Sequence, residues 1–285
     1  MPQSLDELID LLDLEEIEIG LFRARQPDTQ LQRAFGGQVL AQALVAAART
    51  VGVSRIPHSL HAYFLRPGRT DIPIVYDVET VRDGRSFSSR RVVARQGGQV
   101  IFYLSSSFHE PEGGFEHADP APEGVPGPDE SPRLAEVLSR VSGRSAALWE
   151  REWGVLDVRY VGDSRPGGSL ADPAHPARAR VWVRVEGDLP EDPRLHQAAL
   201  AYASDLTLLS ATTVPHNVFI GIDVMGTSLD HAMWFHRRFR ADDWLLYDQV
   251  SPSASAGLGL ATARLFQQGT LVADVAQEGL IRRLT

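Results

Sequence analysis

Hydrophobic and polar positions along the first half of the chain follow two periodicities. Apolar residues at helical spacing predict helices over 5–12 and 38–50, the second one following Gly36-Gly37. Alternation of apolar with polar residues predicts strands. These predicted strands cover residues 15–25, 58–66, 72–81, 86–96 and 99–108. Asp83-Gly84 and Gly97-Gly98 are typical of tight hairpin turns, so the last three strands should form an antiparallel meander.

The second half of the chain repeats this plan. Helices are predicted over 134–152 and 192–210. The predicted strands cover residues 155–161, 178–185, 228–236, 244–250, 257–266 and 270–277. Both halves therefore combine an Ala-rich helix with a run of extended segments.

Short identical segments recur at an almost fixed distance. His61-Ala62 recurs as His231-Ala232, 170 residues later, and Tyr76-Asp77 recurs as Tyr247-Asp248, 171 later. A fixed offset indicates two fused copies of one unit. A helix lying across a curled antiparallel sheet is the plan of a hotdog unit. We therefore expect an α+β double hotdog with two tandem units.

Residues 110–133 separate the two copies. They contain six of the 18 prolines together with seven acidic residues. Such a composition disfavours a packed core and is typical of a linker. The predicted organisation is an N-terminal hotdog unit over 1–109, a linker over 110–133, and a C-terminal unit over 134–285 that carries the catalytic residues.

Composition excludes several classes of chemistry. The net charge of −9 over 285 residues disfavours a general nucleic-acid binder. All 28 basic residues are Arg, so no lysine Schiff base can form, and the absence of Cys removes thiol nucleophiles, disulfides and Cys-ligated metals. The first twelve residues do not resemble a secretory signal, and no apolar run approaches the roughly 18 residues that span a bilayer. We expect a cytoplasmic protein with no membrane span.

The two copies differ in their central helix. Residues 38–50 contain no Asp or Glu, whereas the second helix carries Asp205 among apolar neighbours. Burying an ionised carboxylate costs several kcal/mol unless it is paired or hydrogen-bonded. Asp205 is therefore a candidate catalytic acid; the alternative is a carboxylate bonded to a backbone amide or an Arg.

Two further positions break the symmetry. By the same offsets Ser228 replaces His58 and Gln277 replaces Ser106. Gln277 ends a predicted strand face that is otherwise apolar, and Ser228 begins the predicted strand leading to Trp234. Taken alone, the first could be a strand end reaching solvent and the second a turn or cap residue.

A carboxylate, a hydroxyl and an amide together can hold one water. The carboxylate accepts its proton while the other groups fix its lone pairs, which is general-base catalysis with positioning. Backbone amides at the start of the Gly36-Gly37-Gln38 helix could stabilise an oxyanion. A simple turn into a helix explains the two glycines equally well.

Other motifs are weak or absent. The chain has no G-x-S-x-G, phosphate-loop or G-x-G-x-x-G sequence. His58 and His61, like His231 and His236, have odd spacings and point to opposite faces of a strand, so no local zinc site and no other metal site is expected. The Arg clusters at 82–95 and 237–240 could meet phosphates or form solvated strand faces.

Five segments make the chain resemble the acyl-CoA thioesterase II family. They are Phe35-Gly36-Gly37-Gln38, His58 to Gly68, Tyr202-Ala203-Ser204-Asp205-Leu206, Asp230 to Arg237, and Gln277-Glu278-Gly279. The resemblance covers nearly the whole chain outside the linker and implies a double hotdog that hydrolyses fatty acyl-CoA to a free fatty acid and CoA without a cofactor.

In that family an Asp, a Ser or Thr and a Gln orient the attacking water, and these roles fall on Asp205, Ser228 and Gln277. Several bacterial relatives have Thr where this chain has Ser228. The resemblance also makes His58, Gly37 and Gln38 candidate substrate contacts, and family habit suggests a homodimer or homotetramer.

Two other functions on the same fold are alternatives to acyl-CoA hydrolysis. One is a non-hydrolytic acyl-CoA-binding or lipid-sensing protein, which would be expected to carry a second domain such as a helix-turn-helix, and none is seen. The other is an enoyl-CoA hydratase, which would need a His close after its Asp; Ser204-Asp205-Leu206-Thr207 lacks one.

Overall fold

The computed structural model of the chain describes residues 1–170, 172 and 175–284. The helices are α1 (Leu5–Leu12), α2 (Gly36–Arg49), α3 (Leu134–Ser139), α4 (Gly143–Trp153) and α5 (Pro193–Ser204), with 3₁₀ helices at Pro128–Glu130 and Leu208–His216. The strands are β1 (Glu15–Glu18), β2 (Leu21–Arg23), β3 (Ile56–Phe64), β4 (Val75–Asp83), β5 (Phe87–Gln96), β6 (Gln99–His109), β7 (Leu156–Asp163), β8 (Arg178–Val185), β9 (Val224–Ser228), β10 (Asp230–Phe235), β11 (Leu245–Ser255), β12 (Leu258–Gln267) and β13 (Thr270–Arg283).

Within the described residues the strands form one antiparallel sheet. Its order is β1-β2-β4-β5-β6-β3-β10-β13-β12-β11-β8-β7, with β9 pairing alongside on β13. Counted outward from the central β3–β10 pair, the two halves of the sheet have the same order. The strands β3, β6, β5 and β4 of the first copy match β10, β13, β12 and β11 of the second. The predicted α+β double hotdog with two tandem units is confirmed.

The two copies join through the strands that carry the duplicated dipeptide. On β3 and β10, Ala62 pairs with His231 and His61 pairs with Ala232. The repeat found in the sequence therefore lies directly across the seam. Backbone hydrogen bonds make the sheet continuous between the halves.

Helices α2 and α5 pack against each other on the inner side of the sheet. Residues 37–44 of α2 are all buried, and most of its apolar side chains are alanines. Small side chains allow close approach: an added Cβ at Gly37 would overlap the carbonyl oxygen of Tyr202 on α5. This contact brings the start of α2 to the end of α5.

The two central helices begin differently. Asp192 caps α5, because its side chain accepts a 2.9 Å hydrogen bond from the Arg194 N–H, and Pro193 fits the first turn. Helix α2 begins after Phe35, which offers no capping side chain. The N–H groups in the first turn of α2 are therefore available to other partners.

Residues 110–133 pass over the outer face of the C-terminal half. The indole N–H of Trp182 donates a 2.9 Å hydrogen bond to the Pro126 carbonyl. Ala121 and Val125 pack against a small buried cluster formed by Leu246, Phe266 and Leu271. This segment contributes apolar contacts even though its composition predicted that it packs no core.

Two predicted elements of the chain are each divided in two. The strand over 15–25 is a hairpin, because Gly20 at φ +78° supplies the turn between β1 and β2. The helix over 134–152 is broken into α3 and α4, where Ser142 caps a new helix by accepting a 3.2 Å bond from the Ser145 N–H.

The remaining corrections concern the second copy. The helix predicted over 192–210 ends at Ser204 and continues as a 3₁₀ helix over Leu208–His216, which contains Pro215. The strand predicted over 228–236 is interrupted at Leu229, so Ser228 ends β9. Strand β13 continues to Arg283, which places Gln277 inside the strand rather than at its end. No described helix is long and apolar enough to cross a membrane.

Candidate active site

Asp205 stands at the carboxyl end of α5. It is the C-cap residue, with φ −83° and ψ −2°, and its side chain is 4% exposed. The sequence predicted this Asp within a longer helix. Ending the helix here turns the carboxylate out of the α5 stripe toward the sheet and the start of α2.

Two side chains from separate strands donate hydrogen bonds to this carboxylate. Ser228, at the end of β9, donates a 3.0 Å hydrogen bond to Oδ1 of Asp205. Gln277 on β13 donates through Nε2 to the same oxygen and, over 2.7 Å, to the Ser228 hydroxyl. The register explains the meeting: Ser228 pairs with Gly279, two residues from Gln277 on the same face of β13.

The start of α2 supplies the third contact to the carboxylate. The backbone N–H of Gly37 donates to the Asp205 carboxylate. An added Cβ at Gly36 would lie 2.5 Å from Oδ2 of Asp205 and 3.1 Å from the Phe64 ring. Only glycine leaves room for the carboxylate at this helix start.

Burial and hydrogen bonding act in opposite directions on Asp205. Burial disfavours the ionised form and raises the pKa of Asp205 to about 6, while hydrogen bonds from Gln277, Ser228 and Gly37 oppose the rise. At pH 7 such a group is about nine-tenths ionised. It can therefore accept a proton at neutral pH more readily than an ordinary Asp.

Two buried side chains support the end of α5 from behind. Tyr247 donates a 2.9 Å hydrogen bond to the Ser204 carbonyl. His231 lies 2.9 Å from the Ser204 hydroxyl through Nε2 and 3.9 Å from Oδ1 of Asp205 through Nδ1. Burial lowers the pKa of His231 to about 3, so the ring is neutral and forms no ion pair with Asp205 at pH 7.

A cavity of about 580 Å³ opens beside this group. Asp205, Ser228 and Gly36 line it, whereas Gln277 lies fully buried behind them. Much of its wall is apolar and comes from Leu31, Phe35, Val39, Phe64, Trp153, Leu206, Leu209 and Ile220. Arg33 and Arg66 also border it and are exposed to solvent. The cavity joins an apolar interior to a basic rim.

The structure brings Asp205, Ser228, Gln277 and Gly37 together, as the sequence analysis expected of one site. The alternative of a carboxylate bonded to a backbone amide is also realised, through Gly37. Gln38 is buried and lies 3.4 Å from the Gln42 side chain, away from the cavity lining.

His58 lines a different, smaller cavity and does not approach Asp205. His58 lies on β3 of the first copy, at the position that the repeat relates to Ser228 in the second copy. The two residues therefore line two different, repeat-related cavities. The sequence did not mark Arg33 or Arg66 as cavity residues, and Arg33 lies in no motif. His231 was identified as a repeat marker and as one of a histidine pair unsuited to zinc, and Tyr247 only as a repeat marker.

No group of three or more potential metal ligands occurs among the residues that the structure describes. The site described above consists of a carboxylate, a hydroxyl and an amide beside a largely apolar cavity.

Two family models match the chain. The model described as "Acyl-CoA thioesterase N-terminal domain" matches residues 25–109, and the model described as "Acyl-CoA thioesterase" matches residues 170–280. The second match contains Asp205, Ser228 and Gln277. Together the two models cover both copies of the repeat.

Complete proteins show the same similarity. The chain is 39% identical to Acyl-CoA thioesterase 2 of Haemophilus influenzae over 99% of each chain. A crystal structure of an acyl-CoA thioesterase II from Mycobacterium marinum superimposes with a TM-score of 0.83 at 43% identity, covering 98% of this chain and 99% of that one. A hot dog fold protein from Alicyclobacillus acidocaldarius, 20% identical, has a TM-score of 0.77 over 98% and 99% of the two chains, which shows the shared fold.

Proposed function

The chain belongs to the acyl-CoA thioesterase II family and is a thioester hydrolase, and from this premise we propose that Asp205, Ser228 and Gln277 activate the water that hydrolyses fatty acyl-CoA. One observation carries the proposal. A buried carboxylate of raised basicity lines an apolar cavity and is held by a hydroxyl and an amide from two other strands.

The hydrogen-bond directions define a place for the water. Ser228 donates to Asp205 and accepts from Gln277, so its oxygen keeps a lone pair toward the cavity. A water on the cavity side donates one hydrogen to Asp205 and the other to Ser228. Its own lone pair then points at the thioester carbon. Gln277 acts as a positioning residue, since it holds both acceptors without lining the cavity.

The reaction then proceeds by general-base catalysis. Asp205 takes a proton as the water oxygen forms a bond to the carbonyl carbon, and the C–S bond breaks as the tetrahedral intermediate collapses. The departing thiolate of CoA receives the proton that Asp205 took from the water, which regenerates the carboxylate, and the products are a fatty acid and free CoA. No covalent bond to the protein forms.

The developing oxyanion lies at the start of α2. The N–H of Gly37 donates to Asp205 and is not available to the substrate. Gly36 is the first-turn residue of α2 whose backbone borders the cavity. The helix start adds partial positive charge, because no side chain caps it. We place the thioester carbonyl beside Gly36.

The cavity separates the two ends of the substrate. The apolar wall suits the acyl chain, and the exposed guanidinium groups of Arg33 and Arg66 suit the phosphates of CoA. Arg66 is fixed by a 2.6 Å hydrogen bond from its guanidinium to the Val100 carbonyl. Arg33 makes no hydrogen bond or ion pair with any residue that the structure describes. The cytoplasmic location and the homodimer or homotetramer remain predictions.

Hydrolysis by an Asp205→Asn variant tests the mechanism. Palmitoyl-CoA is mixed with the protein and a thiol reagent, which reports released CoA. We expect kcat to fall by about 10²–10⁴-fold, because the amide cannot accept the proton. Asp274→Asn, a partly exposed acid on β13 that pairs with His236 and does not line the cavity, is the control and should keep normal kcat.

An isotope experiment distinguishes attack on the thioester by water from attack by the Asp205 carboxylate itself. In a single turnover in ¹⁸O-water, the wild-type protein should release fatty acid that already carries ¹⁸O. Unlabelled acid in the first turnover would contradict the proposal. Tight binding of palmitoyl-CoA without thiol release would instead support the non-hydrolytic alternative.

A further inference from the structure

A second cavity, of about 240 Å³, lies at the position that the repeat relates to the first. It is lined in part by His58, Gln197, Phe235, Arg237 and Arg238. By the repeat offset Phe235 corresponds to Phe64, which lines the first cavity. The two cavities share some features and differ in others.

The rim of the first cavity has a distinctive backbone arrangement. The N–H groups of Leu65 and Arg66 both donate to the Ile101 carbonyl, over 2.8 and 3.1 Å. The Arg66 guanidinium donates to the carbonyl of the preceding residue, Val100. These bonds hold the arginine at the opening.

The second cavity reproduces this arrangement 171 residues later. The N–H groups of His236 and Arg237 both donate to the Val272 carbonyl, over 2.9 and 3.4 Å. The Arg237 guanidinium donates over 3.0 Å to the Leu271 carbonyl, and it has an additional 3.1 Å bond to the His117 carbonyl that Arg66 lacks among the described residues. One arginine is thus fixed in a similar way at both openings.

Each opening also has one arginine with no partner. Arg33 at the first and Arg238 at the second are exposed and make no hydrogen bond or ion pair within the described part of the chain. Two guanidinium groups at each opening can bind phosphate oxygens. The basic rim is therefore common to both copies.

The hydrolytic group is absent from the lining of the second cavity. Thr50 is the C-cap of α2, as Asp205 is of α5, with φ −96° and ψ 4°. Arg90, 3% exposed, donates to the Thr50 hydroxyl over 2.8 Å and to its carbonyl over 2.9 Å. The position equivalent to Asp205 therefore holds a threonine bonded to a buried guanidinium instead of a carboxylate that could accept a proton from water.

The acyl space is reduced as well. Gly68 borders the first cavity, and Phe239, 171 residues later, borders the second. The Phe239 ring packs against Phe235, with ring centroids 6.4 Å apart. The second cavity is less than half the volume of the first, so a long acyl chain does not fit.

The interior of the second cavity retains unpaired polar atoms. Gln197 is 5% exposed; its Nε2 donates to the Pro57 carbonyl over 2.8 Å, and its Oε1 has no partner. The Nε2 atom of His58 is also buried without a partner. An unpaired buried acceptor is unfavourable, and a ligand N–H would satisfy it.

We propose that this second cavity binds free CoA without hydrolysing anything, with the pantetheine arm in its interior and the phosphates at its opening. Arg237 and Arg238 contact the phosphates, and the amide N–H of the pantetheine arm donates to Oε1 of Gln197. The inference rests on the proposed function, because it assumes that the same basic rim recognises CoA in the first cavity.

Binding stoichiometry tests the proposal. Labelled CoA is equilibrated by dialysis against the full-length Asp205→Asn protein, and bound CoA per chain is counted. We expect about two equivalents per chain. Arg238→Ser should remove one of them and Arg33→Ser the other, while Arg91→Ser, an exposed arginine on β5, should leave both.

The outcomes separate this inference from the proposed function. One equivalent that Arg33→Ser removes and Arg238→Ser leaves would overturn the second site and keep the first. No binding at all would overturn both assignments of CoA. A second readout is the ring resonance of His58, which should shift on CoA addition in the Arg33→Ser protein and not in the Arg238→Ser protein. If CoA shifts the His58 resonance in neither variant, the proposal is overturned.

Discussion

The carboxylate of Asp205 in the second copy of the repeat accepts a hydrogen bond from the backbone N–H of Gly37 in the first copy. The candidate active site is therefore shared between the two halves of one chain. Neither half alone presents both the carboxylate and the uncapped helix start beside it. This explains why the two central helices pack so closely at Gly37 and Tyr202.

The pH dependence of hydrolysis should follow Asp205. Only its ionised form accepts a proton, and its pKa is raised to about 6 by burial. We expect kcat/KM to be level above pH 7 and to fall with decreasing pH, with an apparent pKa of about 6. His231 cannot produce this change, because burial lowers its pKa to about 3. A level profile down to pH 4.5, with the fold intact by circular dichroism, would contradict the assignment.

The same raised pKa should affect the stability of the protein. A carboxylate whose pKa is higher in the folded than in the unfolded state favours folding below pH 4 and loses this contribution as the pH rises through about 6. A rise from 3.8 to about 6 corresponds to about 3 kcal/mol. Asp205→Asn removes this dependence. Relative to wild type, its free energy of unfolding should increase by up to that amount between pH 4 and pH 7.

Urea unfolding of both proteins at pH 4, 5, 6 and 7 measures this difference. The test uses the change with pH of the difference in free energy of unfolding between the two proteins. A loss of stability from the substitution that is the same at every pH does not affect that change. A difference that stays constant or decreases as the pH rises would show that the pKa of Asp205 is not raised in the folded protein.

The helix start should tolerate no side chain at Gly36. An added Cβ lies 2.5 Å from Oδ2 of Asp205, so Gly36→Ala displaces the carboxylate. We expect kcat to fall at least about tenfold, a change of about 1.4 kcal/mol in transition-state stabilisation. Gly52→Ala is the matched control, since a Cβ there meets nothing within 4 Å. Equal activities of the two variants would argue against the geometry at Gly36.

Replacing Gln277 by Glu should move the pH profile. Two buried carboxylates within hydrogen-bond distance cannot both ionise easily, so at least one apparent pKa of the pair rises. Gln277→Glu should lower activity at pH 7 and recover part of it at pH 8 to 9. Gln99→Glu, at the exposed first residue of β6, adds the same charge and should leave the profile unchanged. A Gln277→Glu profile identical to wild type would remove Gln277 from the site.

The sequence predicted much of the fold because alternation and repetition are local properties. The strand Arg178–Val185 and the helix Leu5–Leu12 have the predicted bounds. The errors fall where a single residue ends an element. Gly20 turns a strand back, Ser142 starts a new helix, and α5 ends at Ser204. Periodicity alone does not mark such points, because the apolar spacing continues across them.

By itself, the sequence determined that two related units exist and that only the second carries an acid in its central helix. It also identified the hydroxyl and the amide that break the symmetry. The tertiary structure decided their geometry: the pairing of β9 with β13 brings Ser228 to Gln277, and the packing of α2 against α5 brings Gly37 to Asp205. It also placed His58 in a separate cavity. These contacts join residues far apart in the chain, so they depend on how the sheet closes around the helices and not on local pattern.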